Sequence, residues 1–292
     1  MGAVLAGRIF GEDEPTWMAT SWDATLHLLR PDGEARATID LPRNGHMPAW
    51  GRALALADLD GDGLLWPIVG TAAWRVHAIT PDWSFRWSFP TTAHSVTRLA
   101  VADLNADGRD EVAVGTVYFC VPAVTADGER LWADEDYNDF WAAGPKFTEL
   151  AVADVDGDGR IETIVAATDT LVHCISDVGE KRWTRSIGDE PAGMAITPRG
   201  IAAASLTGDL HMIDGAGELL WRTELGSPCT ALALSGEELC VGLEDGRLVR
   251  VSIDGEPARV TTLPAPATHL LALAEGRIAA ATADGALCVL DA

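Results

Sequence analysis

The sequence predicts an all-β fold, a β-propeller with seven blades of four antiparallel strands each. Three observations predict it: a strand–turn–strand unit recurs along the chain, two further short apolar runs precede it, and helical periodicity is essentially absent. A four-stranded sheet of this size cannot bury both of its faces alone. Successive copies must therefore stack on one another, and radial closure leaves only short, protected edges.

The strand–turn–strand unit is anchored on a turn residue. The anchors are Gly33, Trp83, Gly128, Gly179, Gly217 and Gly255, and a seventh copy begins at Gly285. We expect a single domain over 1–292, with blades at about 1–42, 52–90, 97–133, 147–187, 192–225, 229–262 and 268–292. The N-terminal run AVLAGRIF is predicted to open the first blade; the alternative is that it supplies the missing edge of the seventh.

Two residue types recur at fixed places in the unit. A tryptophan follows four of the anchors by four residues, at Trp87, Trp132, Trp183 and Trp221. An indole is wide enough to cover the seam between adjacent blades, so these residues are predicted to be structural. A histidine precedes four anchors by six residues, at His27, His77, His173 and His211. We expect packed, hydrogen-bonded side chains there.

Composition excludes some partners. The formal net charge of −23 disfavours binding to nucleic acid or to an anionic membrane, because like charges repel. No apolar run reaches the roughly 18 residues that a membrane span requires.

Five scattered cysteines, at 120, 174, 229, 240 and 288, are predicted to be buried free thiols. Thiol usage and the absence of a visible export signal slightly favour the cytoplasm; an extracellular location stays open if a signal was removed.

Three consecutive blades insert an acidic turn between their first two strands: the first loop (58–66), the second loop (103–111) and the third loop (154–162). Oxygen side chains at positions 1, 3 and 5, a carbonyl at position 7 and a carboxylate at position 9 suit Ca²⁺, which prefers six to eight oxygen ligands. The predicted ligands are Asp103, Asn105, Asp107, Arg109 and Glu111; Asp154, Asp156, Asp158, Arg160 and Glu162; and, as a weaker third site, Asp58, Asp60, Asp62 and Leu64.

The first loop is expected to bind Ca²⁺ more weakly, because Trp66 occupies position 9, where the closing carboxylate is expected. None of the loops is an EF-hand, since a β-hairpin rather than a helix pair presents each one. Without a cation, two carboxylates about 4 Å apart repel by roughly 4 kcal/mol at an effective dielectric of 20. The loops are therefore expected to be disordered, protonated or filled with metal.

Two stretches of the chain resemble known repeats. The run LAVADVDGDGRIETIVAAT (150–168) is similar to the FG-GAP or VCBS-type calcium repeats of integrin-α-like propellers. The run IDGAGELLWRTELG (213–226) resembles the repeats of quinoprotein-like (PQQ-like) propellers. The first resemblance implies that metals rigidify the blades while ligands bind elsewhere. The second does not imply an organic cofactor, since the vicinal cysteine pair of those enzymes is absent.

Aromatic residues collect in the long connections of the first four blades, at the end opposite the acidic turns. Those proposed to bind a ligand are Trp22, Trp50, Trp74, Tyr118, Tyr137, Phe140 and Trp141. The alternative is that these rings only pack on one another.

The leading hypothesis for function is a non-catalytic, calcium-binding module or scaffold for a protein or a glycan. A polysaccharide lyase or glycoside hydrolase using His46 or His94 is the second hypothesis, although no catalytic motif is recognisable. A structural subunit of a larger assembly is the third. A large exposed apolar patch on the structure would favour this third hypothesis.

Overall fold

The computed structural model describes residues 2–91, 94–118, 121–134 and 147–291, without the side chains of 134 and 147. Within these residues there are 27 strands in seven sheets and one short 3₁₀ helix, Ala274–Gly276. The strands are β1 Val4–Gly7, β2 Thr16–Thr20, β3 Thr25–Leu29, β4 Ala35–Asp40; β5 Gly51–Ala57, β6 Trp66–Thr71, β7 Arg75–Ile79, β8 Phe85–Pro90; β9 Val96–Ala102, β10 Glu111–Thr116, β11 Val121–Val124, β12 Arg130–Asp134; β13 Phe147–Ala153, β14 Glu162–Ala167, β15 Leu171–Ile175, β16 Lys181–Ser186; β17 Pro191–Thr197, β18 Gly200–Ser205, β19 Asp209–Ile213, β20 Leu219–Glu224; β21 Cys229–Ser235, β22 Glu238–Leu243, β23 Arg247–Ser252, β24 Pro257–Thr262; and β25 Ala267–Ala272, β26 Ile278–Thr282, β27 Leu287–Leu290.

Each sheet is an antiparallel meander in which consecutive strands are neighbours. The first six sheets have four strands, and the seventh, β25–β26–β27, has three among the described residues. β1 pairs with β2, so the N-terminal run forms the first strand of the first sheet, as predicted. The second strands of the five middle sheets are mostly apolar and buried on both faces, as in β10 and β18, whereas β2 and β26 alternate in burial and β16 alternates between half-buried and exposed residues.

The hydrophobic core lies between adjacent sheets. Separate clusters of buried side chains fill the spaces between the first and second sheets, the second and third, the fourth and fifth, the fifth and sixth, and the sixth and seventh. This is the stacking that the repeat predicts, because each sheet buries its apolar faces against its neighbours.

The repeated tryptophans cover seams between sheets, which confirms their predicted role. Each indole lies against the turn glycine of the next sheet; a Cβ on Gly128 would lie 2.5 Å from Cγ of Trp87. Three of them also donate Nε1–H to a carbonyl of that turn: Trp87 to Ala126 (2.9 Å), Trp183 to Gly215 (2.8 Å) and Trp221 to Ile253 (3.0 Å). Aromatic packing therefore covers four of the seams, and at three of them a part-buried hydrogen bond adds to it; Nε1 of Trp132 has no hydrogen-bond partner among the described residues.

Three of the four repeated histidines are buried, whereas the side chain of His27 is 37% exposed, and they are not all hydrogen-bonded as predicted. His77, His173 and His211 are buried, and His173 Nε2 lies 2.9 Å from Asp169 Oδ2. Neither ring nitrogen of His77 has a hydrogen-bond partner among the described residues. Of the cysteines, those at 174, 229 and 240 are buried free thiols, as predicted; Cys288 is a free thiol but only half-buried, and Cys120 lies outside the described residues.

The contacts divide the chain into two compact units. One comprises Met1–Val152, Arg160–Thr163 and Ile175–Glu180, and holds the first three sheets. The other comprises Ala153–Gly159, Ile164–Cys174 and Lys181–Ala292, and holds the last three. The single domain over 1–292 stays a prediction. Among the residues described, no helix is both long and apolar enough to cross a bilayer.

Candidate functional site

The first loop is organised by its leading aspartate. Asp58 Oδ1 accepts hydrogen bonds from the backbone N–H groups of Gly61 (2.9 Å) and Asp62 (3.2 Å), and its Oδ2 accepts one from Gly63 (2.7 Å). The local sequence thus builds an Asx-type turn in which one carboxylate holds three backbone donors. The turn keeps the short acidic side chains of the loop on one compact hairpin tip.

A protein cation lies beside the first loop. Arg86, on β8, places Nη2 2.8 Å from Asp60 Oδ1. Its guanidinium also lies 4.7 Å from the ring centroid of Trp66, the residue that replaces the closing carboxylate. The hydrogen bond from Arg86 lowers the pKa of Asp60. One predicted ligand of this loop is therefore already paired with a positive charge.

The second loop repeats the turn and adds a buried carboxylate. Asp103 accepts the backbone N–H groups of Asp107 (3.0 Å) and Gly108 (2.9 Å). Asn105 Oδ1 accepts the N–H of Asp107 at 2.8 Å, while its Nδ2 donates to Glu111 Oε1 at 3.1 Å. The amide group of Asn105 therefore lies between the side chains that are predicted to share a cation.

Glu111 is fully buried at the start of β10. Its Oε2 accepts hydrogen bonds from the backbone N–H groups of Leu104 (3.0 Å) and Asn105 (3.3 Å). Burial, together with the negative charges of Asp107 and Asp103, raises the pKa of Glu111 to about 7. A cation in the loop would act in the opposite direction, since it favours the ionised carboxylate.

The first two loops are in direct contact. The backbone N–H of Asp110 donates to the carbonyl of Asp58 at 2.8 Å, and the N–H of Asp58 donates to Asp110 Oδ2 at 2.7 Å. A Cβ on Gly61 would lie 2.6 Å from the carbonyl oxygen of Gly108, so only glycine fits there. The acidic turns of the second and third sheets therefore support one another.

The third loop comes nearest to a metal site. Asp154 accepts the backbone N–H groups of Gly157 (2.7 Å) and Gly159 (2.9 Å). One carboxylate oxygen from each of Asp154, Asp156 and Glu162 lies within 4.8 Å of the other two. Oxygens that share a Ca²⁺ at about 2.3–2.6 Å are separated by at most about 5 Å, so this spacing fits the ion. Among the described residues, no other cluster of acidic, histidine or cysteine side chains meets this criterion.

Arginines near the loops were missed by the sequence analysis. Besides Arg86, Arg182 on β16 lies 2.8 Å from Asp156 Oδ2, and it precedes Trp183 just as Arg86 precedes Trp87. The corresponding residue of the third sheet is Leu131, where position 3 of the loop is the neutral Asn105. The sequence alone could have predicted these arginines. In both sheets whose loop has an aspartate at position 3, an arginine stands directly before the repeated tryptophan.

The aromatic residues at the other end of the sheets form two separate pairs. The rings of Trp22 and Trp50 have centroids 4.4 Å apart at an interplanar angle of 58°. His94 and Tyr118 form the second pair, at 4.8 Å, and burial lowers the pKa of His94. Trp74 is half-buried with a positive φ of 63°. The remaining predicted residues, Tyr137, Phe140 and Trp141, lie outside the described residues.

Comparison with known proteins supports the fold. The model of the family described as outer membrane protein assembly factor BamB matches residues 168–292, which is less than half of the chain. The repeats of this part are therefore PQQ-like, as predicted. The FG-GAP or VCBS type stays a prediction. Among curated proteins, none matches the sequence.

Several solved propellers are similar in structure. BamB from Moraxella catarrhalis has a TM-score of 0.67 and 17% identity over 98% of this chain and 82% of its own. BBS1N, crystallised in complex with ARL6DN, has a TM-score of 0.70 and 16% identity over 98% and 90%. The WD40 propeller domain of Doa1 has a TM-score of 0.63 and 14% identity over 98% and 94%. The fold class is therefore confirmed: the chain is an all-β propeller of seven sheets.

Proposed function

We propose that this protein is a non-catalytic β-propeller that binds a protein partner, and that Ca²⁺ in its acidic loops stabilises the sheets. The observation that carries the metal proposal is the meeting of the Asp154, Asp156 and Glu162 carboxylates within 4.8 Å. Arg182 lies 2.8 Å from Asp156, but one positive charge beside three carboxylates leaves an excess of negative charge, which a bound cation would offset. Bound Ca²⁺ would join the two strands that flank the loop.

The three loops are expected to differ in affinity. The third loop has four acidic side chains, from Asp154, Asp156, Asp158 and Glu162. The second loop has three, and its Asn105 must turn its oxygen toward the ion. The first loop lacks the closing carboxylate; Arg86 pairs with its Asp60 just as Arg182 pairs with Asp156 in the third loop, so the missing carboxylate alone separates these two loops. We therefore expect tight binding at the third loop, weaker binding at the second and the weakest at the first.

The metal proposal is tested by thermal unfolding with Ca²⁺ and with a chelator. At a free Ca²⁺ concentration of about 100 times the dissociation constant, binding to the folded state alone adds about 2.7 kcal/mol. Asp154→Asn should remove most of the difference between the two conditions, and Asp13→Asn, an exposed acid outside the loops, should leave it unchanged. If the wild-type protein melts at the same temperature in Ca²⁺ and in chelator, the metal proposal is wrong.

Protein binding is favoured over the other two functions for specific reasons. BBS1N, a propeller of similar structure, was crystallised with a protein partner, ARL6DN. The lyase or hydrolase hypothesis has no support from a recognisable catalytic motif: the sequence has no nucleophile elbow, no P-loop and no HExxH. Propellers serve many functions, so likeness of fold does not identify the partner.

Protein binding is tested by crosslinking in the native extract followed by mass spectrometry. A propeller that binds a protein should give reproducible crosslinks to a small set of partners, and these should be lost when the extract is pre-incubated with excess unlabelled protein. Turnover of a polysaccharide by the purified protein, or the absence of specific crosslinks, would contradict the proposal.

A further inference from the structure

The seam between the first and second sheets departs from the repeat. Ala37 stands where four other sheets have the seam-covering tryptophan, and Trp83 stands where the other anchors are glycine. Trp83 has a φ of +66°, in the left-handed region that favours glycine. Residues that the surrounding structure holds in this region are concentrated at binding sites, so this seam is a candidate binding region.

A cleft of about 300 Å³ lies in the first sheet, between the turn that precedes β2 and the turn that joins β3 to β4. The rings of Pro15 and Pro31 form part of its lining. Arg36 also lines it, and the Arg36 guanidinium lies 5.2 Å from the ring centroid of Trp83, so the cleft adjoins the seam. Its volume is at the lower limit of the roughly 300–1,000 Å³ of ligand pockets, which suits one long side chain of a larger partner.

The two arginines of the cleft are paired within the first sheet. Both Nη atoms of Arg36 donate to the carboxylate of Glu12, and Nη1 also donates to Thr16 Oγ1 at 2.9 Å. Arg30 Nη1 lies 3.2 Å from Glu34 Oε2. An incoming anion would have to compete with a carboxylate for either guanidinium. The cleft is therefore poorly suited to an anion.

Two further carboxylates of the cleft have no such partner. Asp13 and Glu14 line it and are exposed, and neither has an ion pair or hydrogen bond to its carboxylate among the residues that the structure describes. The cleft thus combines excess negative charge with apolar proline rings. Lys and Arg side chains match this combination, because their stems pack on apolar surface while their heads keep their charge. Each head can then donate a charge-assisted hydrogen bond to a carboxylate.

The end of the first three sheets that carries this cleft is acidic throughout. Its turns, 8–15, 30–34, 58–65, 80–84, 103–110 and 125–129, contain 14 Asp and Glu and three arginines. The connections at the opposite end, 21–24, 41–50, 72–74, 91–95, 117–120 and 135–146, contain four acids and two bases. Negative charge stays in large excess when Arg36 and Arg86 of the adjoining strands are included. Such an end attracts a basic segment over several ångströms and repels an acidic one.

We propose that this cleft docks a basic segment of the protein partner. A Lys or Arg side chain lies along Pro15 and Pro31, and its cationic head pairs with the carboxylates of Asp13 and Glu14. The wider acidic end draws the rest of the segment toward the cleft. This inference rests on the proposed function as a protein-binding module, and it adds the chemistry of the partner.

The test is selection from a random peptide display library on the full-length protein, followed by measurement of affinity for the enriched peptides. The enriched peptides should share a Lys or Arg. Their affinity should fall about tenfold or more in the double variant Asp13→Asn/Glu14→Gln, which removes both carboxylates of the cleft. Thermal unfolding of each variant establishes that it is folded.

A matched control separates the cleft from the general field of the acidic end. Asp82→Asn/Glu129→Gln removes two exposed acids from turns of the same end outside the cleft, and should change affinity less than threefold. A double-mutant cycle localises the contact: replacing the shared Lys or Arg of the peptide by Gln should weaken binding to the wild type, and far less so to Asp13→Asn/Glu14→Gln.

Four outcomes would overturn the inference. Enriched peptides without a basic residue, or with unchanged affinity for Asp13→Asn/Glu14→Gln, would show another binding surface and leave protein binding intact. Equal losses in the two double variants would assign the effect to the acidic end as a whole. Binding of spermine that depends on Asp13 and Glu14, with no enriched peptide, would assign the cleft to a small cation. Failure to enrich any peptide would exclude capture of a short segment, and the crosslinking experiment would then decide separately whether the protein binds other proteins.

Discussion

Replacing His77 by leucine removes a titratable group from the interior of the second sheet. His77 lies in β7 between Val69 and Ser88 on the adjacent strands, and its ring centroid is 4.8 Å from that of Phe85. The side chain is fully buried, and neither ring nitrogen has a hydrogen-bond partner among the described residues. A proton added to this ring would create a buried charge without a counter-ion.

The size of the effect follows from the pKa of His77. Burial, together with the nearby charge of Arg75, lowers this pKa from 6.5 to about 4. The unfolded chain therefore binds a proton at a higher pH than the folded protein does. The contribution of His77 to stability is complete above pH 6.5 and is lost as the pH falls toward 4. From this difference in pKa, linkage predicts that His77 lowers the free energy of unfolding by about 2 kcal/mol between pH 7.5 and pH 5. The whole decrease, complete below pH 4, is about 3 kcal/mol.

The assay is urea unfolding, followed by tryptophan fluorescence at the same two pH values. His77→Leu conserves volume approximately, so at pH 7.5 its free energy of unfolding should lie within about 1.5 kcal/mol of wild type. Between the two pH values, the variant should lose about 2 kcal/mol less than wild type does. His269→Leu, which removes an exposed histidine, is the matched control and should retain the wild-type loss. An equal loss in wild type and His77→Leu would refute this reasoning.

Three further predictions concern the repeat and its core. Trp221→Ala removes the seam-covering indole and its bond to Ile253, and should lower the free energy of unfolding by about 3–5 kcal/mol in urea titrations. Gly255→Ala places a Cβ 2.7 Å from Cδ2 of Trp221 at a φ of +92°, whereas Gly285→Ala, at +87°, meets nothing within 4 Å. The first should therefore destabilise the protein clearly more than the second, and equal losses would contradict the seam contact. Burial raises the pKa of Cys229 to about 12, so this thiol should not react with a thiol reagent near pH 8 until the protein is unfolded.

Much of the fold could be predicted because the repeat is local. Spacing places the turn glycine, the tryptophan four residues later and the histidine six residues earlier on one hairpin. An apolar strand buried on both faces, such as β10, reads as a continuous run of Val and Ala. Hydrogen bonding of the histidines was not predictable in this way. His173 meets Asp169 in its own hairpin, whereas His77 meets no partner among the described residues.

The sequence alone determined the number of sheets, the positions of the acidic loops and the residues at the seams, because each depends on neighbours along one hairpin. Only the tertiary structure decided the electrostatic surroundings of these residues. Arg86 reaches Asp60 from the outer strand of the sheet, and Trp22 meets Trp50 across two sheets. Such contacts join positions far apart in the chain. They depend on how the sheets twist and stack, and the order of residues does not encode that geometry locally.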